Sequence, residues 1–514
     1  MKKNKDDIRN KKIESRKKKK SKKQDEFSAQ EYEDKFKREK EENIKLNQPI
    51  WFVTYVFSGV FLLLIIYMVK FIGYDAKSVI SNTYNKRTDL LAEDVIRGDI
   101  LTSDEKIIAT TLVGEDGQEL RSYPYGSLYA HVGGYLANGK SGLELYSNYY
   151  LLSSHANIFD RISQTLSSEK YQGDQVITTI DSRLQQACYD VLGNSKGAIV
   201  VLEPDTGKIL AMVSKPDYDP NEIEAIWPAI VEEEESDSVL LNRASCGKYP
   251  PGSTFKVITA LEFIRENRNY AEYVYDCKGT GIFQSVSIQC ANGTAHGEVN
   301  LTDALAYSCN GYFVSAGLTL NQDKLKQLTK DFYFEEEVSF ELPYIKSRYY
   351  LDASTDRSLI PQTVFGQGDT TISPLHNAMI YATIANGGVM MRPYLIDHVE
   401  SVDGSIVKKF SSNILAKPIT VQEAEVLGES LKGVCDYGTG KALSNASYDV
   451  IGKTGTAQYG TLGKEHGWFV GYSNPENPDI VVSILVEDVG TVGVYPVNCA
   501  KKIFDTYYEM KENS

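Results

Sequence analysis

One uncharged apolar stretch limits what this chain can fold into more than any other feature. The 20 residues from Ile50 to Val69 contain no charged side chain, and Lys70 closes the run. A helix of about 20 apolar residues spans the hydrocarbon core of a bilayer. A cleaved signal peptide would have a shorter apolar region and a small-residue cleavage site, which the sequence does not show. The stretch predicts a transmembrane signal anchor over residues 50–70; a buried core helix is the disfavoured alternative.

The charges on the two sides of this stretch differ strongly. Residues 1–49 contain 18 Lys and Arg against 11 Asp and Glu, a net charge of +7. Because the whole chain carries −14, the remainder carries −21. Excess Lys and Arg marks the cytoplasmic side of a membrane, so we expect a basic cytoplasmic tail and an acidic extracellular body. The tail, with its run "RKKKKSKK", is expected to be disordered apart from a helical tendency near "YEDKFKREKEE".

The acidic body also bears on possible ligands. Nucleic-acid binding needs a basic footprint, so no nucleic-acid partner is expected. Seven cysteines follow the apolar stretch, and none shows a familiar metal-ligand spacing, so we expect no metal and no cofactor. Cys277 and Cys290 flank a glycine-containing, hairpin-like segment. They could form a disulfide or remain two free thiols, and the residues leave both possibilities open.

The order of patterns along the body predicts its fold class. Residues 71–171 show short, weakly periodic apolar segments, and the "RGD" at Arg97 to Asp99 lies inside a strand pattern, which favours a structural role. Two strand-like runs in "GAIVVLEPDTGKILAMVSK" then precede many helical segments. Three strand-like runs and a terminal helix close the chain. This order predicts an α+β domain whose antiparallel sheet is assembled from both ends and flanked by helices.

Ser253, in "KYPPGSTFK", is the first candidate catalytic residue. A serine needs a base within hydrogen-bond reach, and Lys256 lies one helical turn further on. The spacing Ser-x-x-Lys alone carries little weight, because it occurs six times in this chain. Only Ser253 follows a "YPPG" turn and precedes an apolar helical pattern, which predicts a position at a helix N-terminus. A capping serine is the alternative.

Two further motifs favour a catalytic role for Ser253 over a capping role. "AYSCNGYF" contains Ser308 and Asn310 in the spacing Ser-x-Asn, and "IGKTGTAQ" contains Lys453, Thr454, Gly455 and Thr456. Decoys exist here too, in "SSN" at 411–413 and "KSG" at 140–142. The ordered combination of S-x-x-K, S-x-N and K-T-G is the catalytic set of penicillin-binding proteins and serine β-lactamases. The three motifs together predict a serine acyl-transfer site.

The chain resembles the class B penicillin-binding proteins, and is most similar to their penicillin-binding-protein-A-like branch in Gram-positive bacteria. Beyond the motifs, the resemblance rests on "TIDSRLQQAC", "NRASCGKYPPGSTFK", "HGEVNLTDALAYSCNGYF", "FGQGDTTISPL", "GTGKAL" and "GWFVGY". It extends from Arg97 to the C-terminus. The chain has "LTSDE" after "RGDI", where many relatives carry an Asp-Arg-Asn-Gly turn. This departure concerns the N-terminal module and leaves the chemistry untouched.

The charge distribution, the apolar stretch and the resemblance together predict four segments, and the resemblance also implies an activity. The segments are a basic cytoplasmic tail at 1–49, a transmembrane anchor at 50–70, a pedestal module at 71–171 and a penicillin-binding transpeptidase domain at 172–514. The implied activity is cross-linking of peptidoglycan stem peptides through an acyl-serine intermediate, with release of D-alanine and inhibition by β-lactams. The implied partner is a polytopic SEDS-family glycosyltransferase, contacted through the transmembrane helix and residues 71–171.

The resemblance also assigns roles to the motif residues. Ser253 is the nucleophile, Lys256 its base, Ser308 a proton relay and Asn310 a substrate-amide partner. A neutral Lys256 requires a lowered pKa, which burial and the nearby cation Lys453 could cause. Lys453 and the hydroxyls of Thr454 and Thr456 are assigned to the substrate carboxylate, and Gly455 belongs to the same substrate-binding motif. The backbone N–H groups of Ser253 and Thr456 are assigned to the oxyanion hole.

Other activities share the same motifs. A D,D-carboxypeptidase differs only in the acceptor, and a serine β-lactamase must hydrolyse its acyl-enzyme quickly. A non-catalytic β-lactam-binding scaffold is expected to have damaged motifs, whereas all three are intact here. His466, in "KEHGWFVGY", is interpreted as a hairpin residue rather than a substrate contact, and Trp468 and Phe469 as core residues.

Overall fold

The computed structural model of the chain describes residues 3–72, 91–155, 170–232, 238–460, 464–492 and 495–512. The chain divides into two units, Met1–Ile80 and Ser81–Ser514. Parts of the expected pedestal module, at 73–90 and 156–169, lie outside the described residues. The boundaries expected for the pedestal and the transpeptidase domain stay predictions.

The strands are numbered in chain order. They are β1 (Val95–Ile96), β2 (Ile100–Leu101), β3 (Ile107–Val113), β4 (Glu119–Ser122), β5 (Tyr171–Gln172), β6 (Gln175–Thr178), β7 (Gly197–Leu202), β8 (Ile209–Lys215), β9 (Tyr275–Cys277), β10 (Thr280–Phe283), β11 (Val286–Gln289), β12 (Gly297–Val299), β13 (Met390–Met391), β14 (Ile396–Glu400), β15 (Ile406–Lys409), β16 (Ile414–Ala416), β17 (Val450–Tyr459), β18 (Lys464–Ser473) and β19 (Val481–Val486).

The α-helices are numbered in the same way. They are α1 (Lys3–Lys70), α2 (Ala130–Gly133), α3 (Gly142–Tyr146), α4 (Asn148–Leu151), α5 (Ser182–Leu192), α6 (Ile223–Glu232), α7 (Arg243–Cys246), α8 (Lys256–Glu266), α9 (Leu301–Ala306), α10 (Asn310–Gly317), α11 (Gln322–Asp331), α12 (Ile360–Thr363), α13 (Pro374–Ala385), α14 (Val421–Asp436), α15 (Val489–Val492) and α16 (Pro496–Glu512). Short 3₁₀ helices cover Gly126–Tyr129, Ala137–Gly139, Pro220–Glu222, Gly252–Phe255, Tyr270–Glu272, Ala291–Gly293, Arg357–Leu359 and Lys441–Leu443.

The first unit is built on helix α1. Its segment Pro49–Lys70 is long and apolar enough to cross a membrane, and none of it is buried inside the protein. The helix also runs through the basic tail, which the sequence analysis expected to be disordered. Lys, Glu, Arg and Gln are good helix formers, and Glu and Lys residues four apart support each other on one face. The charged composition of the tail, from which disorder was expected, therefore still favours a helix.

The main sheet of the second unit has five strands in the order β17-β18-β19-β7-β8, and every neighbouring pair is antiparallel. β7 and β8 come from the start of the domain and β17 to β19 from its end, which confirms the predicted α+β fold. Strands β7 and β19 are buried along their whole length because helices cover both faces. Helices α5 and α16 pack with one face, and α13 packs with the other.

A second sheet holds the N-terminal part of this unit. Its six strands lie in the order β15-β14-β6-β2-β3-β4, so β14 and β15, from much later in the chain, complete it.

Buried Glu144 forms ion pairs with Arg97 and Arg121, both at 2.6 Å. Arg97 is the arginine of the "RGD" sequence, and its side chain is buried. This confirms the structural interpretation of that motif.

Candidate active site

Ser253 lies where a turn becomes a helix. The 3₁₀ helix Gly252–Phe255 leads directly into α8, so Lys256 follows Ser253 by one turn on a continuous helical path. Pro250 and Pro251 cannot continue a preceding helix, which explains why the new helix begins here. Ser253 is partly exposed, whereas Lys256 is completely buried. Ser253 is therefore accessible to solvent, whereas the side chain of Lys256 is shielded from water.

The turn before Ser253 is held by neighbouring elements. Trp468 Nε1 donates to the Pro250 carbonyl at 3.0 Å, and the Gly252 N–H donates to the Gly366 carbonyl at 2.8 Å. Tyr381 of α13 donates its hydroxyl to the Thr254 carbonyl at 3.0 Å. Gly252 has φ +53°, and a Cβ there would lie 2.7 Å from the Thr456 carbonyl, so the position requires glycine. The "FGQGD" loop at 365–369 thus borders the turn before Ser253.

Lys256 connects the first motif to the second. Its Nζ donates to the Ser308 carbonyl at 2.7 Å, to Ser308 Oγ at 3.1 Å and to Asn310 Oδ1 at 2.7 Å. The rings of Phe313 and Phe365 lie 5.4 and 5.9 Å from the same nitrogen. Burial in this environment lowers the pKa of Lys256 to about 7. A large fraction of the amine is therefore neutral near pH 7.

The loop carrying Ser308 is conformationally constrained. Ser308 has φ +57°, an uncommon conformation for a residue with a Cβ. Cys309 caps α10 through its sulfur, which accepts from the Tyr312 N–H at 3.5 Å. Asn310 Nδ2 donates to the Gln289 carbonyl at 2.8 Å. Asn310 is thus held towards Lys256 by a residue outside its own helix.

The third motif lies on β17, the edge strand of the main sheet. Lys453 is completely buried, Thr454 is partly exposed and Thr456 is exposed. A Cβ on Gly455 would lie 3.1 Å from Trp468 Cβ and 3.2 Å from Thr254 Cγ2. Glycine therefore allows β17 to pack closely against the start of the helix that carries Ser253.

The pKa values of both buried lysines are lowered, and repulsion between the two lysines contributes to the lowering at Lys453. Burial, and then repulsion from Lys256, lower the pKa of Lys453 well below its ordinary value. For Lys256 the lowering comes from burial, and the thiols of Cys309 and Cys290 act in the opposite direction. Burial lowers the pKa of Lys256 as expected, whereas Lys453 is not among the causes of that lowering.

Sequence reasoning missed one residue that touches the third motif. The hydroxyls of Thr439 and Thr454 lie 2.5 Å apart, and the Thr439 N–H donates to the Ala306 carbonyl at 3.0 Å. Thr439 belongs to "GTGKAL", which carried the family resemblance without any assigned role. The only signal for it was that resemblance, because its distance from Thr454 in the chain gives no hint of contact.

His466 lies in the hairpin formed by β17 and β18, opposite Ala457. Its ring stacks on Tyr459 at 3.9 Å with an interplanar angle of 7°, and meets Tyr249 edge-on at 5.3 Å. Trp468 and Phe469 are buried, which confirms that they belong to the core.

Comparison with known proteins agrees with this geometry. Residues 197–509 match the family described as "Penicillin binding protein transpeptidase domain", and residues 97–176 match "Penicillin binding protein A dimerisation domain". The chain is 32% identical over 403 residues to the peptidoglycan D,D-transpeptidase PbpA of Mycolicibacterium smegmatis, covering 74% of this chain and 81% of that protein.

Solved structures show the same relationship. The D,D-transpeptidase domain of a peptidoglycan glycosyltransferase from Eggerthella lenta has a TM-score of 0.73 and 31% identity, over 81% of this chain and 99% of the other. The imipenem acyl-enzyme complex of penicillin-binding protein A from M. tuberculosis has a TM-score of 0.74 and 29% identity, over 81% and 99%. With the three motifs gathered around Lys256, the chain belongs to the class B penicillin-binding proteins, in their penicillin-binding-protein-A-like branch.

Proposed function

We propose that this membrane protein is a peptidoglycan D,D-transpeptidase that uses Ser253 as its nucleophile and is a target of β-lactams. The observation that carries the proposal is the environment of Lys256. A buried amine with a pKa of about 7 lies one turn after a partly exposed serine, and hydrogen bonds tie it to the second motif. The family and the activity named for its relatives support the same reaction class.

Acylation begins with proton transfer from Ser253 Oγ to the neutral amine of Lys256. Oγ then attacks the carbonyl carbon between the two terminal D-alanines of a stem peptide. The negative charge that develops on the carbonyl oxygen is stabilised by the backbone N–H groups of Ser253 and Thr456. Such donors are worth about 10²–10³ in rate each. A Cβ on Gly252 would lie 2.7 Å from the Thr456 carbonyl, which supports the nearness of these two backbone segments.

Collapse of the tetrahedral intermediate breaks the C–N bond and releases D-alanine. The leaving amine takes the proton that Ser253 lost, relayed from Lys256 through Ser308, whose Oγ lies 3.1 Å from Nζ. Asn310 hydrogen-bonds the amide of the substrate backbone. An amine from a second stem peptide then attacks the acyl-Ser253 ester, which forms the cross-link and frees the serine.

The third motif recognises the terminal carboxylate of the donor peptide. Lys453 and the hydroxyls of Thr454 and Thr456 supply the donors. A substrate carboxylate favours the charged form of Lys453, whose pKa is otherwise lowered by burial. Gly455 keeps this strand close to Ser253. An antiparallel edge strand also offers backbone groups to an extended peptide.

We also propose the arrangement in the cell. The basic residues 1–49 place the N-terminus in the cytoplasm and the catalytic domain outside, in a single-pass topology. The segments are the basic tail, the anchor at 50–70, a pedestal at 71–171 and the transpeptidase domain at 172–514. A SEDS-family glycosyltransferase supplies the glycan strands and binds the transmembrane helix and the pedestal.

Intact-protein mass spectrometry of the full chain in detergent, before and after penicillin, tests the proposal. We expect a lasting adduct of one drug mass on the wild type and none on folded Ser253→Ala. An adduct that disappears while hydrolysed drug accumulates would support a β-lactamase instead. Absence of an adduct on folded wild-type protein would contradict the proposal. Release of D-alanine from a stem pentapeptide, with and without an acceptor amine, separates transpeptidase from carboxypeptidase.

A further inference from the structure

Four potential metal ligands converge beside the second catalytic motif. The Sγ atoms of Cys277, Cys290 and Cys309 and a ring nitrogen of His296 all lie within 4.8 Å of one another. Cys277 Sγ is 3.7 Å from Cys290 Sγ and 3.5 Å from His296 Nδ1, and Cys290 Sγ is 3.9 Å from Cys309 Sγ. The three cysteines are buried and His296 is half-buried. The four ligand atoms are therefore close enough together to bind one metal ion.

These separations match the edges of a zinc tetrahedron. Zn–S bonds are about 2.3 Å and Zn–N bonds about 2.0–2.1 Å long. In a regular tetrahedron such bonds place two sulfurs roughly 3.8 Å apart and a sulfur and a nitrogen roughly 3.5 Å apart. A set of three thiolates and one imidazole is a common structural zinc site. All seven cysteines are free, so Cys277 and Cys290 are not joined in a disulfide.

The backbone around the sulfurs is arranged to stabilise negative charge. The Gly279 N–H donates to Cys277 Sγ at 3.5 Å, and the Tyr312 N–H donates to Cys309 Sγ at 3.5 Å. Cys309 also lies at the N-terminus of the eight-residue helix α10, where the helix dipole favours an anion. Hydrogen-bond donors of this kind orient metal ligands and tune how strongly those ligands bind the metal.

The ligands come from two small ribbons and from the start of α10. Cys277 ends β9, Cys290 follows β11, and His296 precedes β12. Among the described residues, β9 pairs only with β12, and β10 only with β11, in two-stranded ribbons. Ribbons of two strands are marginally stable by themselves. A metal ion bound by both ribbons and by α10 would hold all three elements together.

We propose that Cys277, Cys290, His296 and Cys309 bind one structural Zn²⁺ ion, which positions the second catalytic motif. This proposal differs from the expectation from sequence that no metal is bound. Its positioning role rests on the proposed function. Cys309 lies between Ser308 and Asn310, and both of these contact Lys256. Asn310 is anchored on the carbonyl of Gln289, the residue before Cys290.

Metal analysis of the full chain, purified in detergent with trace zinc and without chelator, tests the site itself. We expect about one zinc per chain in the wild type and in Cys246→Ser, which alters a cysteine outside the cluster. Cys277→Ser and the milder His296→Ala are expected to lose most of it. Co²⁺ in place of zinc should give the visible bands of a tetrahedral thiolate complex. Thiol counting that shows a Cys277–Cys290 disulfide, another metal at full occupancy, or zinc retained in both variants would overturn the proposal.

The positioning role has a separate readout. Chelation of the wild type is expected to slow acylation by a labelled penicillin about 10- to 100-fold. Zn²⁺ or Co²⁺, but not Mg²⁺, should restore the rate. An unchanged rate in demonstrably zinc-free protein would overturn the positioning role. Ser253→Ala should keep its zinc although it cannot be acylated, so failure of the catalytic proposal and failure of the metal proposal can be told apart.

Discussion

Lys256 Nζ and Asn310 Oδ1 are 2.7 Å apart, although the two residues belong to different helices and different motifs. The same nitrogen contacts Ser308. This contact joins the helix that follows Ser253 to the second motif. The proposed catalytic roles of Lys256 and Asn310 therefore require α8 and α10 to be held against each other.

Replacement of the base should abolish most acylation. Lys256→Met keeps the length of the side chain but removes the amine, and general-base catalysis contributes about 10²–10⁴ in rate. We expect a loss of that size in the acylation rate constant for a labelled penicillin. Lys248→Met, at the exposed lysine of a neighbouring Ser-x-x-Lys sequence, should leave the rate unchanged. Comparable effects of both substitutions would contradict the assignment.

The pH dependence of acylation should follow the lowered pKa of Lys256. Lys256 accepts a proton only when it is neutral, and its pKa is about 7. The rate should therefore rise as pH increases through about 7 and then level off, rather than rising near the ordinary lysine value of about 10.4. Lys453, Cys290 and Cys309 are the other titratable groups that act on this site. A rate that falls across this range would rule out the neutral amine as base.

Thr439→Val should weaken recognition by the third motif. The substitution removes the hydroxyl that lies 2.5 Å from Thr454 Oγ1. One neutral hydrogen bond contributes about 0.5–1.5 kcal/mol, so we expect a two- to tenfold lower second-order rate constant of acylation. Thr439→Ser keeps the hydroxyl and should stay close to wild type. Equal losses in the two variants would indicate a packing role.

Gly455→Ala should move β17 away from the nucleophile. The added Cβ would press on Trp468 and Thr254, and overpacking of this kind costs about 1–3 kcal/mol. We expect slower acylation together with a lower melting temperature. Gly490→Ala is the matched control, because a Cβ there meets nothing within 4 Å. Acylation at the wild-type rate in Gly455→Ala would show that the close approach is dispensable.

Glu144→Gln should destabilise the N-terminal sheet. It leaves the guanidinium groups of Arg97 and Arg121 without their buried carboxylate. Removing one partner from a buried ion pair costs about 3–5 kcal/mol. Glu119→Gln breaks a more exposed pair with Lys170, and such pairs contribute about 0–1 kcal/mol. Thermal unfolding of both variants measures the difference, and a similar small shift in both would refute the structural role of Glu144.

The sequence by itself determined the features that are local in the chain. The membrane span depends only on 20 consecutive uncharged residues, and the helix start at Ser253 depends on two prolines just before it. The α+β fold could also be predicted, because its strands and helices have strong periodic patterns in a characteristic order. The three motifs could be recognised because each is a short run of residues in a fixed order.

Only the tertiary structure decided which distant residues meet. The four proposed zinc ligands are separated by 12, 5 and 12 residues, a spacing that brings them together only after two ribbons and α10 have packed. The contact of Thr439 with Thr454, and the burial that lowers the pKa of Lys256, arise in the same way. Distances and desolvation are properties of packed surfaces, and no local pattern of residues encodes them.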